Sequence, residues 1–252
     1  MLAKLLRSRA RAQPQVDSVP DGVRVYAIGD VHGRLDLLDR LLARIDADNA
    51  ARGTAETSLI FLGDLVDRGP DSAGVVERLR LLAESGRRVR FLAGNHEEVF
   101  LDALRGDAKA LRLFCRIGGR ETVLSYGIDA AEYLSLDHEE LSQALDRTVP
   151  DAHRAFLGAF EDVIVIGDYA FVHAGINPDR LLEDQRTGDL RWIRAPFLDH
   201  RGRLAKRVVH GHTISEEVEF CLHRIGIDTG AYTSGKLTAL GLEGTDCWLL
   251  EG

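Results

Sequence analysis

The chain has 252 residues, of which 45% are hydrophobic and 29% are charged, enough to bury a core in one large domain or two small ones. Its net charge of −8 argues against a protein that holds nucleic acid through its overall field, and no apolar run approaches the roughly 20 residues of a membrane span. Three widely spaced cysteines, Cys115, Cys221 and Cys247, predict free thiols in a reducing compartment and favour a cytoplasmic location.

Residues 1–22 lack the apolar core of a secretory signal and are predicted to form a flexible basic tail. The domain is expected to span residues 23–252. From residue 23 the sequence alternates between two patterns. Apolar runs predict strands at 23–28, 58–62 and 89–92, and helical spacing predicts helices at 35–49, 71–85 and about 97–104. This alternation is typical of an α/β fold with buried, mostly parallel strands.

The rest of the chain divides into a helical part and a β-rich part. Residues 102–160 have a mainly helical pattern and are predicted to form an elaboration over one face of the domain. Short β-rich runs follow at 163–166, 170–172, 207–209, 218–221, 224–227, 237–242 and 247–250. They predict a second, more antiparallel sheet. The expected architecture is therefore one domain with two packed sheets and helices outside them.

Five of the predicted strands end in short polar turns rich in glycine. The turns read GDVHG (29–33), GDLVDRGP (63–70), GNHEE (94–98), HAG (173–175) and HGHT (210–213). Ligands of α/β sheets gather at the carboxyl ends of strands, so these turns are expected to converge on one site. Their possible donors, without any thiolate, are Asp30, His32, Asp64, Asn95, His173 and His212.

Oxygen and imidazole donors of this kind suit Mn, Fe, Zn or Mg, and they do not suit a cysteine-rich structural zinc site. A central carboxylate such as Asp64 can bridge two ions roughly 3.5–4 Å apart, the arrangement that clamps a phosphoryl group during in-line displacement. Each residue alone has an ordinary alternative: Asp30 as a helix N-cap, or His212 as a hydrogen-bonded core histidine. These ordinary alternatives would have to hold at five separate strand ends at once, so the combination favours the metal site.

Together, the motifs GDVHG, GDLVDRG, GNHE, HAG and GHT resemble the calcineurin-like metallophosphoesterases. The forms DRG and GNHE are more specifically similar to the phosphoprotein phosphatase branch, in its bacterial and phage-type versions. The resemblance extends from Asp30 to about Gly230. It implies a four-layer αββα sandwich, in which two mixed sheets are flanked by helices, and a centre of two metal ions.

The resemblance also implies metal ligands, position by position. The residues that match the ligands of one ion are Asp30, His32 and Asp64, and those that match the ligands of the second are Asp64, Asn95, His173 and His212. Many relatives outside this branch have another metal-binding histidine where this chain has Ile214, which implies more water on the first ion. His210 is expected to lie outside the ligand set.

Four further residues match the groups that act on the substrate. His96 resembles the general acid, and Asp67 resembles the carboxylate that orients it. Arg68 resembles a phosphate-binding arginine, and a short Trp-x-Arg match at 192–194 suggests Arg194 as the second. The implied reaction is a single-step hydrolysis in which a metal-bound hydroxide attacks phosphorus in line, while the arginines hold the phosphoryl oxygens and His96 protonates the leaving oxygen.

The function predicted from the resemblance is a dinuclear-metal phosphomonoesterase, specifically a serine/threonine protein phosphatase, with Mn as the expected metal. Its expected partner is a phosphorylated protein or peptide, without stable binding to nucleic acid or membranes. The alternative is a dinucleoside polyphosphate hydrolase or a small-molecule phosphatase of the same fold. Relatives of the diadenosine tetraphosphatase type often have other residues where Asp67 and Glu97 stand, which favours the protein phosphatase. A non-catalytic scaffold predicts a missing ligand, and none is missing.

Overall fold

A computed structural model of the protein describes residues 16–252. The strands of these residues are β1 (Val23–Ile28), β2 (Glu56–Phe61), β3 (Arg88–Phe91), β4 (Ile164–Ile166), β5 (Tyr169–Phe171), β6 (Arg207–His210), β7 (Glu219–Phe220), β8 (Arg224–Gly226), β9 (Thr238–Glu243) and β10 (Asp246–Glu251). Their helices are α1 (Leu35–Ala51), α2 (Ser72–Glu84), α3 (Asn95–Leu104), α4 (Ala108–Ile117), α5 (Gly119–Ser125), α6 (Ala130–Ser135), α7 (His138–Thr148), α8 (Asp151–Gly158), α9 (Thr187–Trp192) and α10 (Ala231–Ser234).

The first sheet has the strand order β10-β9-β1-β2-β3. As predicted, β1, β2 and β3 are parallel, and Ile28 lies opposite Phe61 in the register. Central strand β1 is buried on both faces because both faces are covered. In β1, Tyr26 and Ile28 face the outer helices, whereas Val25 and Ala27 face the second sheet.

The second sheet has the strand order β4-β5-β6-β8-β7. Its central strands β5, β6 and β8 are parallel, and its edge strands β4 and β7 are antiparallel to their neighbours. The later strands were all predicted to belong to the second sheet. This prediction is wrong for β9 and β10, which join the first sheet beside β1. Arg24 lies opposite Glu243 there, and their side chains form an ion pair of 2.9 Å. Such a tertiary pairing is not contained in the local pattern of either strand.

Three hydrophobic clusters separate the layers of the domain. The first cluster lies between the outer helices and the first sheet and includes Leu38 and Phe61. The second lies between the sheets, where Leu240 and Phe171 are both buried. The third lies outside the second sheet and includes Leu190 of α9. The order of helix, sheet, sheet and helix confirms the predicted four-layer αββα sandwich.

Residues 102–160 are helical, from the end of α3 through α4 to α8. Helix α8 packs against α2 and α3, and α4 packs against α3, so the segment covers the helical side of the first sheet. It also reaches the strand ends: the N–H of Arg68 donates to Gly118 O at 3.0 Å, and Thr122 contacts Asp67. The helical elaboration is therefore in contact with two of the predicted site residues.

The predicted tail boundary at residue 22 is wrong, because residues 17–22 are part of the packed domain; residues 1–15 of that prediction lie outside the described residues. Val19 is buried, and its N–H donates to Gly244 O at 2.9 Å. The N–H of Ser18 donates to Asp168 Oδ2 at 3.1 Å. This segment thus connects the β9–β10 turn of one sheet to the β4–β5 turn of the other. No helix within residues 16–252 combines the length and apolar character needed to cross a membrane.

Candidate metal centre

The six side chains with predicted metal-ligand roles lie together at the carboxyl ends of strands from both sheets. Those that follow strands of the first sheet are Asp30, His32, Asp64 and Asn95, and those that follow strands of the second are His173 and His212. All are buried except the half-buried His212. The two sheets therefore contribute jointly to one site.

Asp64 lies at the centre of this arrangement. The donor atoms of His32, Asp64 and His96 all lie within 4.8 Å of one another, and so do those of Asp64, His173 and His212. Asp64 Oδ2 is 3.7 Å from His32 Nε2 and 3.4 Å from His173 Nε2. A carboxylate shared by two groups of donors is suited to bridging two cations.

The first of these groups differs from the predicted one in its third member. His96 stands where Asp30 was expected beside His32. Asp30 instead accepts the backbone N–H of His212 on Oδ2, at 3.0 Å. Its carboxylate therefore connects the turn after β1 to the turn after β6, and its other oxygen, Oδ1, is buried without a hydrogen-bond partner among the described residues.

Hydrogen bonds to backbone carbonyls orient two of the imidazoles. Nδ1 of His32 donates to Val66 O at 2.8 Å, and Nδ1 of His173 donates to Leu62 O at 2.8 Å. Nε2 of each ring then faces Asp64, and His173 Nε2 also donates to Asn95 Oδ1 at 3.0 Å. Histidines that bind metals are commonly oriented in this way through their second ring nitrogen.

The site turns concentrate an uncommon backbone conformation. Among residues 16–252, five non-glycine residues have φ between 44° and 73°, in the left-handed region: His32, Asp64, Asp67, Arg68 and His212. All five carry predicted site roles. Such conformations cost of order 1–3 kcal/mol each, so the surrounding contacts must hold them in place. The turns are therefore shaped to aim side chains inward at the expense of backbone stability.

Close approach of the turns requires glycine at two positions. Gly63 has φ of 99°, and a β-carbon there would lie 2.6 Å from Gly94 N. A β-carbon on Gly211 would overlap Oδ1 of Asp30. Larger residues at these positions would push the donor side chains apart.

The electrostatics of the donors fit a divalent cation. Burial and the negative charges of Asp228 and Asp64 raise the pKa of Asp30 well above its ordinary value. Burial lowers the pKa of His32 to about 3 and is the main reason why the pKa of His212 is also about 3. The neutral imidazoles of His32 and His212, together with the buried carboxyl of Asp30, whose charged form burial disfavours, form a set of donors that a cation would stabilise. His212 Nε2, like Asp30 Oδ1, is buried and has no hydrogen-bond partner among the described residues.

His96 and Asp67 form a connected pair beside this set. His96 Nδ1 lies 2.6 Å from Asp67 Oδ2, and Thr122 Oγ1 donates to Asp67 Oδ1 at 2.6 Å. Burial lowers the pKa of His96, but the charges of Asp64 and Asp67 outweigh burial, and the net pKa is raised. This arrangement fixes the tautomer of His96 and leaves its Nε2 toward the site.

The arginines lie at the boundary of the site. Arg68 donates to His32 Nε2 at 3.1 Å and to His96 Nε2 at 2.8 Å. Arg194 is exposed, and its charge contributes to the lowered pKa of His212. The two arginines therefore lie near different histidines of the centre.

Two aromatic side chains also border the centre. The Tyr232 ring lies 5.4 Å from that of His32 and 5.0 Å from the Arg68 guanidinium carbon. The Trp192 ring lies 6.5 Å from that of His212. Trp248 is remote: it packs edge-on against Tyr26 in the first sheet.

Sequence reasoning missed the roles of two buried carboxylates. Glu97 accepts hydrogen bonds from the backbone N–H groups of Asp64 and Leu65, so it stabilises the turn that carries Asp64. Asp228 follows β8 and accepts the N–H of Gly230 at 2.9 Å. The sequence IDTG repeats the pattern of an apolar run, an acid and a glycine, and could have identified Asp228 as a sixth turn of the site. His210, predicted outside the ligand set, packs against Phe197 with its ring centroid 5.1 Å away.

Comparison with known families decides the assignment of the fold. The family model of the calcineurin-like phosphoesterases matches residues 23–228. The chain belongs to this family. As a calcineurin-like phosphoesterase it is a hydrolase, and the family uses divalent metals in sites of the kind described above.

Curated relatives of this calcineurin-like phosphoesterase include two types of tetraphosphatase. The asymmetrical bis(5'-nucleosyl)-tetraphosphatase PrpE of Oceanobacillus iheyensis is 29% identical over 86% of this chain and 88% of its own length. The symmetrical bis(5'-nucleosyl)-tetraphosphatase of an Acidovorax species is 36% identical over 64% of this chain and 47% of its own length. Only the first of the two matches this chain over nearly its whole length.

Solved structures agree on the fold. A protein whose assignment as a diadenosine tetraphosphatase is provisional superposes with a TM-score of 0.62 at 21% identity and covers 94% of this chain and 99% of its own. A cold-active protein tyrosine phosphatase superposes with a TM-score of 0.58 at 19% identity, over 93% of this chain and 82% of its own. At these identities the likeness concerns the architecture of the chain, not its substrate.

Proposed function

We propose that this protein hydrolyses bis(5'-nucleosyl) polyphosphates, and that it cleaves the tetraphosphate asymmetrically into a nucleoside monophosphate and a nucleoside triphosphate. The observation that carries the proposal is the PrpE match, which spans 86% of this chain and 88% of the relative. The comparisons thus support the alternative of the sequence analysis better than its first choice, the serine/threonine protein phosphatase.

The residues present fit a pair of divalent ions. Those that would hold one ion are Asp30, His32 and Asp64, and those that would hold the other are Asp64, Asn95, His173 and His212. Oxygen and imidazole donors without thiolate favour manganese, with iron, zinc and magnesium as alternatives. When bound, such ions supply Lewis-acid polarisation of the phosphoryl group and a nucleophile at neutral pH. A cation at His32 requires Arg68 to leave Nε2, because one lone pair cannot serve both.

The remaining groups would act on the substrate directly. Arg68 and Arg194, near different histidines of the centre, would bind phosphoryl oxygens and offset their growing charge. His96 donates from Nδ1 to Asp67, so Nε2 is the atom that would hold a proton for the leaving oxygen, once Arg68 has left Nε2 to bind the substrate. Thr122 donates to the other oxygen of Asp67 and thereby holds the Asp67 carboxylate in the orientation that accepts from His96.

One observation favours the protein phosphatase as a second candidate. The contact of 2.6 Å between His96 and Asp67 prepares a general acid, which matters most when the leaving group is a poor one. A serine alkoxide needs that proton, whereas a departing nucleotide ends in a phosphate whose pKa is only about 6. The pair would therefore contribute less to cleavage of a phosphoanhydride.

The test compares substrates on one preparation. Metal-stripped protein with manganese restored is assayed with diadenosine tetraphosphate and with a panel of phosphoserine, phosphothreonine and phosphotyrosine peptides. We expect kcat/KM for the tetraphosphate to exceed that for every peptide at least about a hundredfold, a difference of about 2.7 kcal/mol in transition-state stabilisation. The expected products are AMP and ATP; two molecules of ADP would contradict asymmetrical cleavage. A peptide that is hydrolysed faster than the tetraphosphate would overturn the proposal.

His96→Ala tests the role of His96 as the general acid. A general acid typically contributes about 10²–10⁴-fold when the leaving group needs a proton. We expect a smaller loss with the tetraphosphate than with phosphoserine peptides, because the departing phosphate needs no proton. An equal loss with both would assign His96 to the positioning of Asp64 or a metal ion.

A further inference from the structure

Trp192 presents an aromatic surface at the border of the centre. It is the last residue of α9, its side chain is 37% exposed, and its ring stands edge-on to His212 at a centroid distance of 6.5 Å. An indole combines a broad apolar ring face with one polar N–H, so beside polar site residues it offers a surface for a planar ligand. Ile214, two residues after His212, is 45% exposed and adds apolar surface on the same turn.

Hydrogen bonds hold the indole in one orientation. Nε1 of Trp192 donates to Glu98 Oε2 at 3.3 Å, and Glu98 also accepts from Arg191 at 3.3 Å. Arg191 in turn donates to Asp162 at 2.8 Å. A ring fixed before its ligand arrives loses little conformational entropy on binding.

Tyr232 is less suited to receive a ligand. Its ring already contacts the edge of the His32 ring and lies against the guanidinium of Arg68. It is half-buried, and its position supports the placement of Arg68. Trp192 makes only an edge contact with His212, so more of its ring remains accessible.

We propose that the exposed face of Trp192 is the stacking platform for one nucleobase of the substrate. The inference rests on the proposed function, because a base is present only if the substrate is a nucleoside polyphosphate. Arg194, two residues later in the chain, would hold the phosphate that follows the stacked nucleoside. Stacking of a base on an aromatic side chain is tolerant of base identity, so the platform predicts little discrimination between adenine and guanine.

Fluorescence tests this binding without turnover. The chain has two tryptophans, and Trp248 lies in the first sheet, so Trp248→Phe leaves Trp192 as the reporter. With manganese present, AMP should quench the emission of Trp248→Phe, and ribose 5-phosphate, which has the phosphate but no base, should not. Trp192→Phe, which keeps Trp248, should show no quenching by AMP. This reciprocal variant keeps the test valid if Trp248→Phe folds poorly.

Kinetics supply the second measurement. Removal of an aromatic side chain that stacks on a base typically weakens binding roughly tenfold. The test quantity is kcat/KM for diadenosine tetraphosphate divided by kcat/KM for glycerol phosphate. Trp192→Ala should lower this ratio about tenfold. Trp192→Phe, which retains a ring, should lower the ratio less. Unchanged ratios together with quenching that does not depend on Trp192 would overturn the platform, even if the tetraphosphate is hydrolysed. Conversely, quenching by AMP through Trp192 in a protein that does not cleave the tetraphosphate would refute the proposed function and leave the platform supported.

Discussion

Glu97→Gln tests how the turn that carries Asp64 is held in place. The buried carboxylate of Glu97 accepts four backbone N–H groups: those of Leu65 and Val66 on Oε1, at 2.7 and 3.3 Å, and those of Asp64 and Gly94 on Oε2, at 2.8 and 2.9 Å. Glutamine keeps one oxygen but places an NH₂ group against two of these donors. An unsatisfied buried donor costs about 1–3 kcal/mol, so two of them cost about 2–6 kcal/mol before relaxation.

We therefore expect Glu97→Gln to lower the free energy of unfolding by about 3 kcal/mol, which corresponds to a fall in Tm of roughly 6–12 °C for a chain of this length. The assay is thermal unfolding followed by circular dichroism, in chelator, so that metal binding does not contribute. Glu98→Gln is the matched control, because Glu98 is the next residue but is one-third exposed. Its ion pair should contribute only about 0–1 kcal/mol. Equal shifts in the two variants, or a Glu97→Gln protein that melts within about 2 °C of wild type, would refute this account of the turn.

Three further predictions concern the centre and the sheet. Chelation should abolish hydrolysis, and manganese should restore it. Asp64→Ala should lose both ions and nearly all turnover. Full metal content in that variant, measured by elemental analysis, would contradict the proposal that Asp64 is shared by both ions. Arg68→Ala and Arg194→Ala should each weaken inhibition by free phosphate, and lysine should not restore it fully, because it lacks the planar fork; unchanged inhibition in Arg194→Ala would mean that another residue binds the phosphate. Glu243→Gln should destabilise the protein at neutral pH by leaving the buried Arg24 without its ion pair. Since Arg24 holds the pKa of Glu243 below its ordinary 4.5, that contribution is present above pH 4.5 and is lost as the pH falls through the folded-state pKa, so urea unfolding of the variant and wild type should converge in acid.

The strands of the fold were predictable because most contain short apolar runs bounded by polar turns. The predicted first strand, 23–28, coincides with β1, and every later β-rich run contains a strand. What the local pattern does not contain is the choice of partner. β9 and β10 have the same apolar character as the strands of the second sheet, and contacts such as that between Arg24 and Glu243 place them beside β1 instead.

Most of the candidate site was predictable from the chemistry of its turns. Ligand-type residues after five strands were expected to meet. Four of the six predicted ligands lie in the two donor groups around Asp64, and hydrogen bonds join Asp30 and Asn95 to His212. Asp228 was missed although its strand was predicted at 224–227, because its turn IDTG contains a single acid and no histidine or asparagine. The role of Glu97 was not predictable, since its four donors come from two turns that meet only in the folded chain.

The origin of the donors in both sheets has a consequence for the order of folding. Asp30 and His212, which are joined by a hydrogen bond, are separated by 182 positions in the chain. The first sheet also lacks β9 and β10 until the segment Thr238–Glu251 has been synthesised. Contacts of such long sequence separation form late, after the entropy of closing the intervening chain has been lost. A nascent chain on the ribosome can therefore present the histidines of individual turns, but it cannot assemble the complete centre until the chain has emerged beyond His212.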